Sequence, residues 1–312
     1  MILALGVFRG GALRDAPQHV ALMVIIALRL RMVAGITRAL AKETRKGSSV
    51  DHHLRGQKMR ALITGAATGI GAATSQKLKA AGYEVTAFDI VEPTGVDHWI
   101  KVDMSDPDAI DTAVSKLSGT FECLVNNAGV PPREGLMKTV LAVNYLGLVR
   151  LTGAVEPMLK QRGAIVNVAS RAGAAWRANI DQVKALMALE NVTALDDFIT
   201  NQDIDYVRAY DLTKEAVVVW GISNTERLLA KSLRVNSVSP AAVSTGILDD
   251  FEAAFGDRMT KNVARVGRPG YPEEIADVIL YLISAESGWI KGQDITIDGG
   301  MSALGTSGQL GL

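Results

Sequence analysis

From Met59 onward, short apolar runs alternate with longer stretches of helical spacing. Ala61-Leu62-Ile63, Glu84-Val85-Thr86-Ala87-Phe88, Trp99-Ile100-Lys101-Val102 and Cys123-Leu124-Val125 read as strands, as do residues 164–168, 234–238 and 295–297. Residues 70–81 carry apolar positions at helical spacing and stop at Gly82, a residue suited to closing a helix. Residues 106–117 read as a second helix, opened by Ser105 or Asp106 as cap with Pro107 in the first turn. Strands so short and so uniformly apolar are covered on both faces. Their alternation with helices implies right-handed crossovers onto a parallel sheet. The pattern predicts an α/β fold over residues 59–312: a doubly wound parallel sheet of Rossmann type, in three layers, as a single domain.

The segment 1–58 differs in character. It holds ten Lys/Arg and three Asp/Glu, whereas the rest of the chain holds 23 and 30. Its apolar run, at positions 20–28, is interrupted by Arg29 and is much shorter than the ~20 residues of a membrane span. The pattern favours a loosely ordered extension, or translation that begins at Met59, over a targeting signal.

Composition then removes several kinds of chemistry. The whole chain balances 33 basic against 33 acidic residues with a pI near 6.9, so charge gives no reason to expect nucleic acid as a partner. Cys123 is the sole cysteine and reads as a buried strand thiol, so no intrachain disulfide is possible. Three of the four histidines (His19, His52 and His53, with His98 the exception) fall before Met59. That argues against a histidine metal site or a Ser-His-Asp triad in the main body, and no metal is expected. The protein is expected in the cytoplasm, away from membranes.

The first strand runs into Thr64-Gly65-Ala66-Ala67-Thr68-Gly69-Ile70-Gly71, where a helix opens. Glycines let the backbone approach a pyrophosphate, whose charge the helix N-terminus favours. The next strand ends in Asp89, at the spacing beyond the turn where a carboxylate accepts hydrogen bonds from the adenosine ribose hydroxyls and repels a 2′-phosphate. No Arg or Lys adjoins Asp89 or the glycine turn, so the expected cofactor is NAD.

With these residues the chain resembles the short-chain dehydrogenase/reductase family from Met59 to Met301. The matching motifs, in order, are Thr64 to Gly71; Asp103-Met104; Asn126-Asn127-Ala128-Gly129; Val143-Asn144; the strand ending at Ser170; Tyr210-Asp211-Leu212-Thr213-Lys214; Pro240 to Thr245; and Asp298-Gly299-Gly300. The resemblance implies NAD contacts from Gly65, Thr68, Gly69, Ile70, Gly71, Asp89, Asp103, Met104, Asn126, Ala128 and Gly129. Tyr210, Lys214, Val243 and Thr245 would hold the nicotinamide end. It implies a catalytic set of Asn144, Ser170, Tyr210 and Lys214. Tyr210 and Lys214, four apart, share a helix face. The ammonium and an oxidised nicotinamide would lower the phenol from its usual pKa near 10, making Tyr210 the proton carrier. Ser170 would orient the substrate oxygen, and Asn144 would support a water-mediated relay near Lys214.

Ser170 and Tyr210 lie much farther apart in the chain than in most of that family, and an insertion at about 171–207, with helical stretches at 181–189 and 191–199, must loop out between them. The insertion resembles that of the bacterial coniferyl alcohol dehydrogenase and 3α-hydroxysteroid dehydrogenase/carbonyl reductase branch, and implies a homodimer. Ala241 stands where the family has glycine, a strained substitution if the position needs a positive φ. Residues 247–266, with Phe251, Phe255 and Met259, are expected to form a mobile lid over an apolar pocket. The expected activity is interconversion of an alcohol and a carbonyl on a small ring-bearing substrate, an aryl-allylic alcohol or a steroid. A non-catalytic dinucleotide sensor would need neither Ser170 nor Tyr210. Trp176, Trp220 and Trp289 are expected in core or interface.

Overall fold

The apolar runs become seven strands: β1 Arg60–Thr64, β2 Glu84–Asp89, β3 His98–Lys101, β4 Phe121–Asn126, β5 Leu159–Val168, β6 Arg234–Pro240 and β7 Asp294–Ile297. The structure is a computed structural model that describes residues Lys58–Leu312, which form one unit. The expectations for the extension before Lys58 lie outside the described residues. All strand pairings are parallel, in the order β3-β2-β1-β4-β5-β6-β7. Side-chain alternation explains why both faces are apolar. Leu62 of β1 joins the core on one face, while its neighbours Ala61 and Ile63 join the core on the other. Cys123 is fully buried in the second core, and burial pushes its thiol well above the ordinary range, as expected of a packing residue.

The helices follow the sequence pattern with local differences. α1 spans Gly69–Ala80 and α2 Pro107–Ser115. Asp106 Oδ1 accepts from Asp108 N at 2.9 Å and Ala109 N at 3.2 Å, fixing it as the α2 cap. β5 begins at Leu159, ahead of its apolar core, because residues 160–163 bulge out between the Phe121–Leu159 and Cys123–Ala164 pairings. α3 (Met137–Leu141) passes into a π-helical turn, Ala142–Gly147, and then α4 (Leu148–Val155). Asn144 sits in that turn, a distortion frequent at functional sites.

The insertion forms α5 (Ile180–Met187), a 3₁₀ turn at Val192–Ala194 and α6 (Leu195–Asn201). It docks on α7, Tyr206–Ala230, through a buried carboxylate. Glu215 is fully buried and accepts from Asn179 Nδ2 and Arg208 Nη2, both at 2.6 Å. Arg208 Nε in turn donates to Gln182 Oε1 at 2.7 Å. These bonds fix the looped-out segment so that Ser170 and Tyr210 still converge. Gly173 completes the fit: a Cβ there would stand 2.7 Å from the Lys214 carbonyl oxygen, so only glycine lets this loop lie on α7.

The remaining helices are α8 (Leu248–Val266), α9 (Pro272–Ile283) and α10 (Met301–Leu310). Buried Arg234 ties β6 to the end of α9, donating to the carbonyls of Leu282, Ile283 and Ser284 and, at 2.6 Å, to that of Arg162. Ala241 is not strained: among the described residues only Arg162, Asp203 and Ser232 have a positive φ without being glycine. Trp220 is buried, but Trp289 is 93% exposed, with Lys291 Nζ 5.4 Å from its ring centroid. Trp176 packs partly buried against the core, beneath the guanidinium of Arg177.

Candidate active site

Sheet order reverses between β1 and β4, and a crevice opens there at the carboxyl ends of the strands. A cavity of about 1070 Å³ runs from this crevice to the lid helix α8. Its floor is the glycine turn. Gly65 (φ +69°) and Gly69 (φ +55°) adopt backbone that favours glycine, and a Cβ on Gly71 would stand 1.9 Å from the Gly65 carbonyl oxygen. Gly71 does not line the cavity; it lets α1 start hard against the turn.

Thr64 and Asn127 bind the turn to the loop after β4. Thr64 Oγ1 accepts from Asn127 N at 3.0 Å and Ala128 N at 2.9 Å. Asn127 Nδ2 donates to Gly65 O at 2.7 Å and Thr64 O at 3.1 Å. Asn127 thus occupies the place expected of Asn126. Asn126 points into the sheet, donating to Thr152 Oγ1 and Asn167 Oδ1, both at 2.9 Å, and it does not line the cavity. The two asparagines are adjacent in sequence, and strand alternation decides which one faces the crevice.

Thr68 caps α1 with extended backbone and makes no side-chain cap hydrogen bond, so the first-turn amides are not satisfied by their own cap. Such a helix end favours a pyrophosphate. Asp89 closes the far end. Its Oδ2 accepts from Ala67 N at 2.8 Å and its Oδ1 from Val91 N at 3.0 Å, which holds the carboxylate at the cavity wall. The neighbouring wall residues Ala67, Phe88, Ile90 and Val91 bring no Arg or Lys to it. Asp103 and Met104 line the same end, with Asp103 Oδ1 engaged by Ser105 N and Oγ. Ile70, Ala128, Gly129, Val243 and Thr245 also line the cavity. Thr245 stands opposite the turn: its Cγ2 would lie 3.1 Å from a Cβ on Gly69. The cradle therefore fits a nicotinamide dinucleotide, with close backbone approach where the phosphates need it and a carboxylate where the adenosine ribose needs it.

Ser170, Tyr210 and Lys214 meet in the deeper lobe. Ser170 follows β5, and its Oγ accepts from Ala172 N at 3.2 Å while lying within hydrogen-bonding reach of the Tyr210 phenol. Tyr210 and Lys214 lie one turn apart on α7, and Lys214 Nζ is 5.6 Å from the Tyr210 ring centroid. Asn144 is buried behind this lobe and does not line it. It holds Val130 through Oδ1 (from Val130 N, 2.7 Å) and Nδ2 (to Val130 O, 3.0 Å). Asn144 Oδ1 and Lys214 Nζ both stand against Gly129, at 3.4 Å and 3.7 Å from a Cβ built there.

The protein's own groups set the charge balance that a bound nicotinamide would then shift. Burial pushes the Tyr210 phenol well above its ordinary value, and the Ser170 hydrogen bond only partly opposes this. Burial also draws Lys214 down to about 8, with Nζ donating to Val168 O at 2.9 Å. Protein groups alone therefore keep the phenol protonated at neutral pH, because burial, with the Asp211 charge adding to it, disfavours the phenolate. The lysine is the group they bring near the physiological range.

Phe251 and Phe255 of α8 form the apolar wall. Their rings are parallel within 4°, with centroids 6.2 Å apart, and they meet the Tyr210 ring edge-on at 5.2 Å and 6.5 Å. Met259 lines the cavity beside them. The lid expected at 247–266 is one helix broken at Gly256, whose φ of 53° and ψ of −143° are non-helical.

Residues 59–181 match the profile of the family described as short chain dehydrogenase, and residues 191–302 match that of enoyl-(acyl carrier protein) reductase. The chain is 35% identical over 245 residues to a coniferyl-alcohol dehydrogenase of Pseudomonas sp. (strain HR199 / DSM 7063), covering 78% of this chain and 96% of the relative. It is 30% identical over 254 residues to a 3-alpha-hydroxysteroid dehydrogenase/carbonyl reductase of Comamonas testosteroni, with coverage of 78% and 96%. Among solved structures, the 3-alpha-hydroxysteroid dehydrogenase from Pseudomonas sp. B-0831 complexed with NADH superposes with a TM-score of 0.71. It has 30% identity, with coverage of 80% of this chain and 98% of that one.

Proposed function

The chain belongs to the short-chain dehydrogenase/reductase family, and on that premise we propose that it interconverts an aryl-allylic alcohol, such as coniferyl alcohol, and the corresponding carbonyl compound with NAD. The observation that carries this reading is the lobe itself, where Ser170, Tyr210 and Lys214 face the paired rings of Phe251 and Phe255. Parallel rings beside a proton-bearing phenol suit a flat aromatic substrate with its oxygen turned inward.

When bound, NAD supplies the two-electron acceptor, and its reduced form the donor. Glycine-turn amides, Asp89, Lys214, Val243 and Thr245 would hold it. Ser170 holds the substrate oxygen. In reduction the neutral Tyr210 phenol gives its proton to the forming alkoxide; in oxidation it first passes that proton toward Lys214 and solvent and then takes the hydroxyl proton. Lys214, drawn down to about 8, is the group through which that proton reaches solvent, with Asn144 fixing the loop at Val130 beside it. A neutral resting phenol suits it to act first as an acid, and burial holds it neutral.

Incubating the protein with NAD and either coniferyl alcohol or a 3α-hydroxysteroid, and following absorbance at the NADH band, tests the reading. NADH formation on coniferyl alcohol supports it. Turnover on the steroid alone favours the second reading, which the likeness to the two hydroxysteroid dehydrogenases motivates. No turnover on either, with NADH still bound, would favour a sensor.

Preference for NAD over NADP is assigned to Asp89. Asp89→Ala is expected to weaken NADH binding about 10- to 100-fold while leaving NADPH binding unchanged or improved, as charged hydrogen bonds to the ribose are lost and repulsion of a 2′-phosphate ends. Fluorescence titration with both cofactors measures it; equal losses for both would overturn the assignment. The reading also places the enzyme in the cytoplasm as a homodimer.

A further inference from the structure

An ion pair joins the segments that carry two walls of the cavity. Arg133 Nε donates to Asp250 Oδ1 at 2.7 Å and Arg133 Nη2 to Asp250 Oδ2 at 2.8 Å, a two-pronged contact between segments distant in sequence. Arg133 belongs to the loop after β4, which lines the cavity through Val130 and Pro131. Asp250 belongs to the first turn of α8, one residue before Phe251. We propose that Arg133 and Asp250 are positioning residues for the substrate ring: their pairing ties the two walls of the lobe together and sets where Phe251 and Phe255 stand over Tyr210.

The break at Gly256 explains why such a tie is needed. Non-helical backbone directly after Phe255 separates residues 248–255 from the rest of α8, so the rear of the helix does not hold the front in place. At the front, the cap Ile247 makes no side-chain hydrogen bond, and Leu248 N bonds to Thr245 O at 3.1 Å. Phe251 and Phe255 also pack against the core and on the Tyr210 ring, contacts that a substrate entering between the rings would have to rearrange. The ion pair is the anchor that lies outside the ring's path. Arg133 is 56% exposed and Asp250 20%, so the pair is screened by salt and is reversible, as a closing element must be.

The inference rests on the oxidoreductase reading, and its experiment separates the two. In Arg133→Gln and Asp250→Asn, KM for the aryl-allylic alcohol is expected to rise about fivefold, with kcat changed less than twofold and NADH affinity unchanged. The exchanged pair, Arg133→Asp with Asp250→Arg, is expected to restore KM to within about twofold. Added salt should raise KM in the wild type and leave the single variants unaffected. Hydrogen exchange at residues 248–255 should quicken in both single variants and slow again in the exchanged pair. If the wild type turns over no alcohol, the functional reading fails, and exchange at 248–255 alone decides the tie. Unchanged KM and exchange in the single variants, or failure of the exchanged pair to restore both, overturns the proposal.

Discussion

Tyr210→Phe is expected to lower turnover about 10³-fold while leaving NADH affinity within about twofold of wild type. The substitution removes one oxygen and keeps the ring, so the edge-on contacts with Phe251 and Phe255 survive. Lys214 keeps its bond to Val168 O, and the glycine turn is untouched. What disappears is the only phenol among the described residues lining the lobe, and with it the partner of the Ser170 hydroxyl. Steady-state kinetics with NAD and alcohol, paired with NADH fluorescence titration, measure both quantities. Loss of cofactor affinity in step with turnover would mean that Tyr210 acts by holding the nicotinamide end. Retained turnover would sink the proton-transfer role altogether.

The sequence made the frame legible because a doubly wound sheet writes itself in local signals. Each buried strand is a short apolar run, and each crossover helix has a stop or cap nearby, such as Gly82 after α1 or Asp106 before α2. The glycine turn was legible for the same reason, since its steric demand falls on residues close together in the chain. What the sequence left open depends on direction or distance. Asn126 and Asn127 are the same residue type side by side, and the sheet's register decides that the second faces the crevice. The π-helical turn that carries Asn144, and the break at Gly256, are backbone adjustments with no distinctive composition. The Arg133–Asp250 tie joins segments that only the finished fold brings together. The electrostatic balance was also left open. The expected lowering of the phenol needs an oxidised nicotinamide beside Lys214, and what spacing alone cannot show is that both side chains are almost fully buried, so that desolvation penalises the phenolate and the ammonium alike.

That desolvation has a consequence for stability, and Lys214→Met is expected to make the protein more stable while abolishing activity. Lys214 falls from an ordinary value of 10.5 to about 8 in the folded protein, a difference worth about 3 kcal/mol. Below pH 8 the lysine is protonated both folded and unfolded, so the full penalty for burying the ammonium is present at pH 7. Between pH 8 and 10.5 the folded form has shed a proton that the unfolded chain still binds, so wild-type stability rises with pH across this window. Above 10.5 the lysine is neutral in both states and the penalty is gone. Methionine of similar length removes the charge but orphans Val168 O, which costs about 1 kcal/mol. The net gain at pH 7 is about 2 kcal/mol, or roughly 4–8 °C in Tm for a domain of this size. The advantage should shrink through pH 8 to 10.5 and then reverse, since only the cost of the orphaned carbonyl remains. Tyr210 works in the opposite sense: its raised phenol gives stability that is complete below pH 10 and is lost as pH climbs toward the folded value. Because Tyr210 is present in both proteins, comparing wild type and variant at each pH isolates the lysine. Denaturant unfolding at pH 7 and pH 10.5, with turnover assayed alongside, checks the prediction. A Lys214→Met protein less stable than wild type at pH 7 would mean that the buried ammonium is compensated, and the depressed value for Lys214 would be wrong. Greater stability with no turnover would mark Lys214 as a charge kept in the core for its chemistry at the cost of the fold.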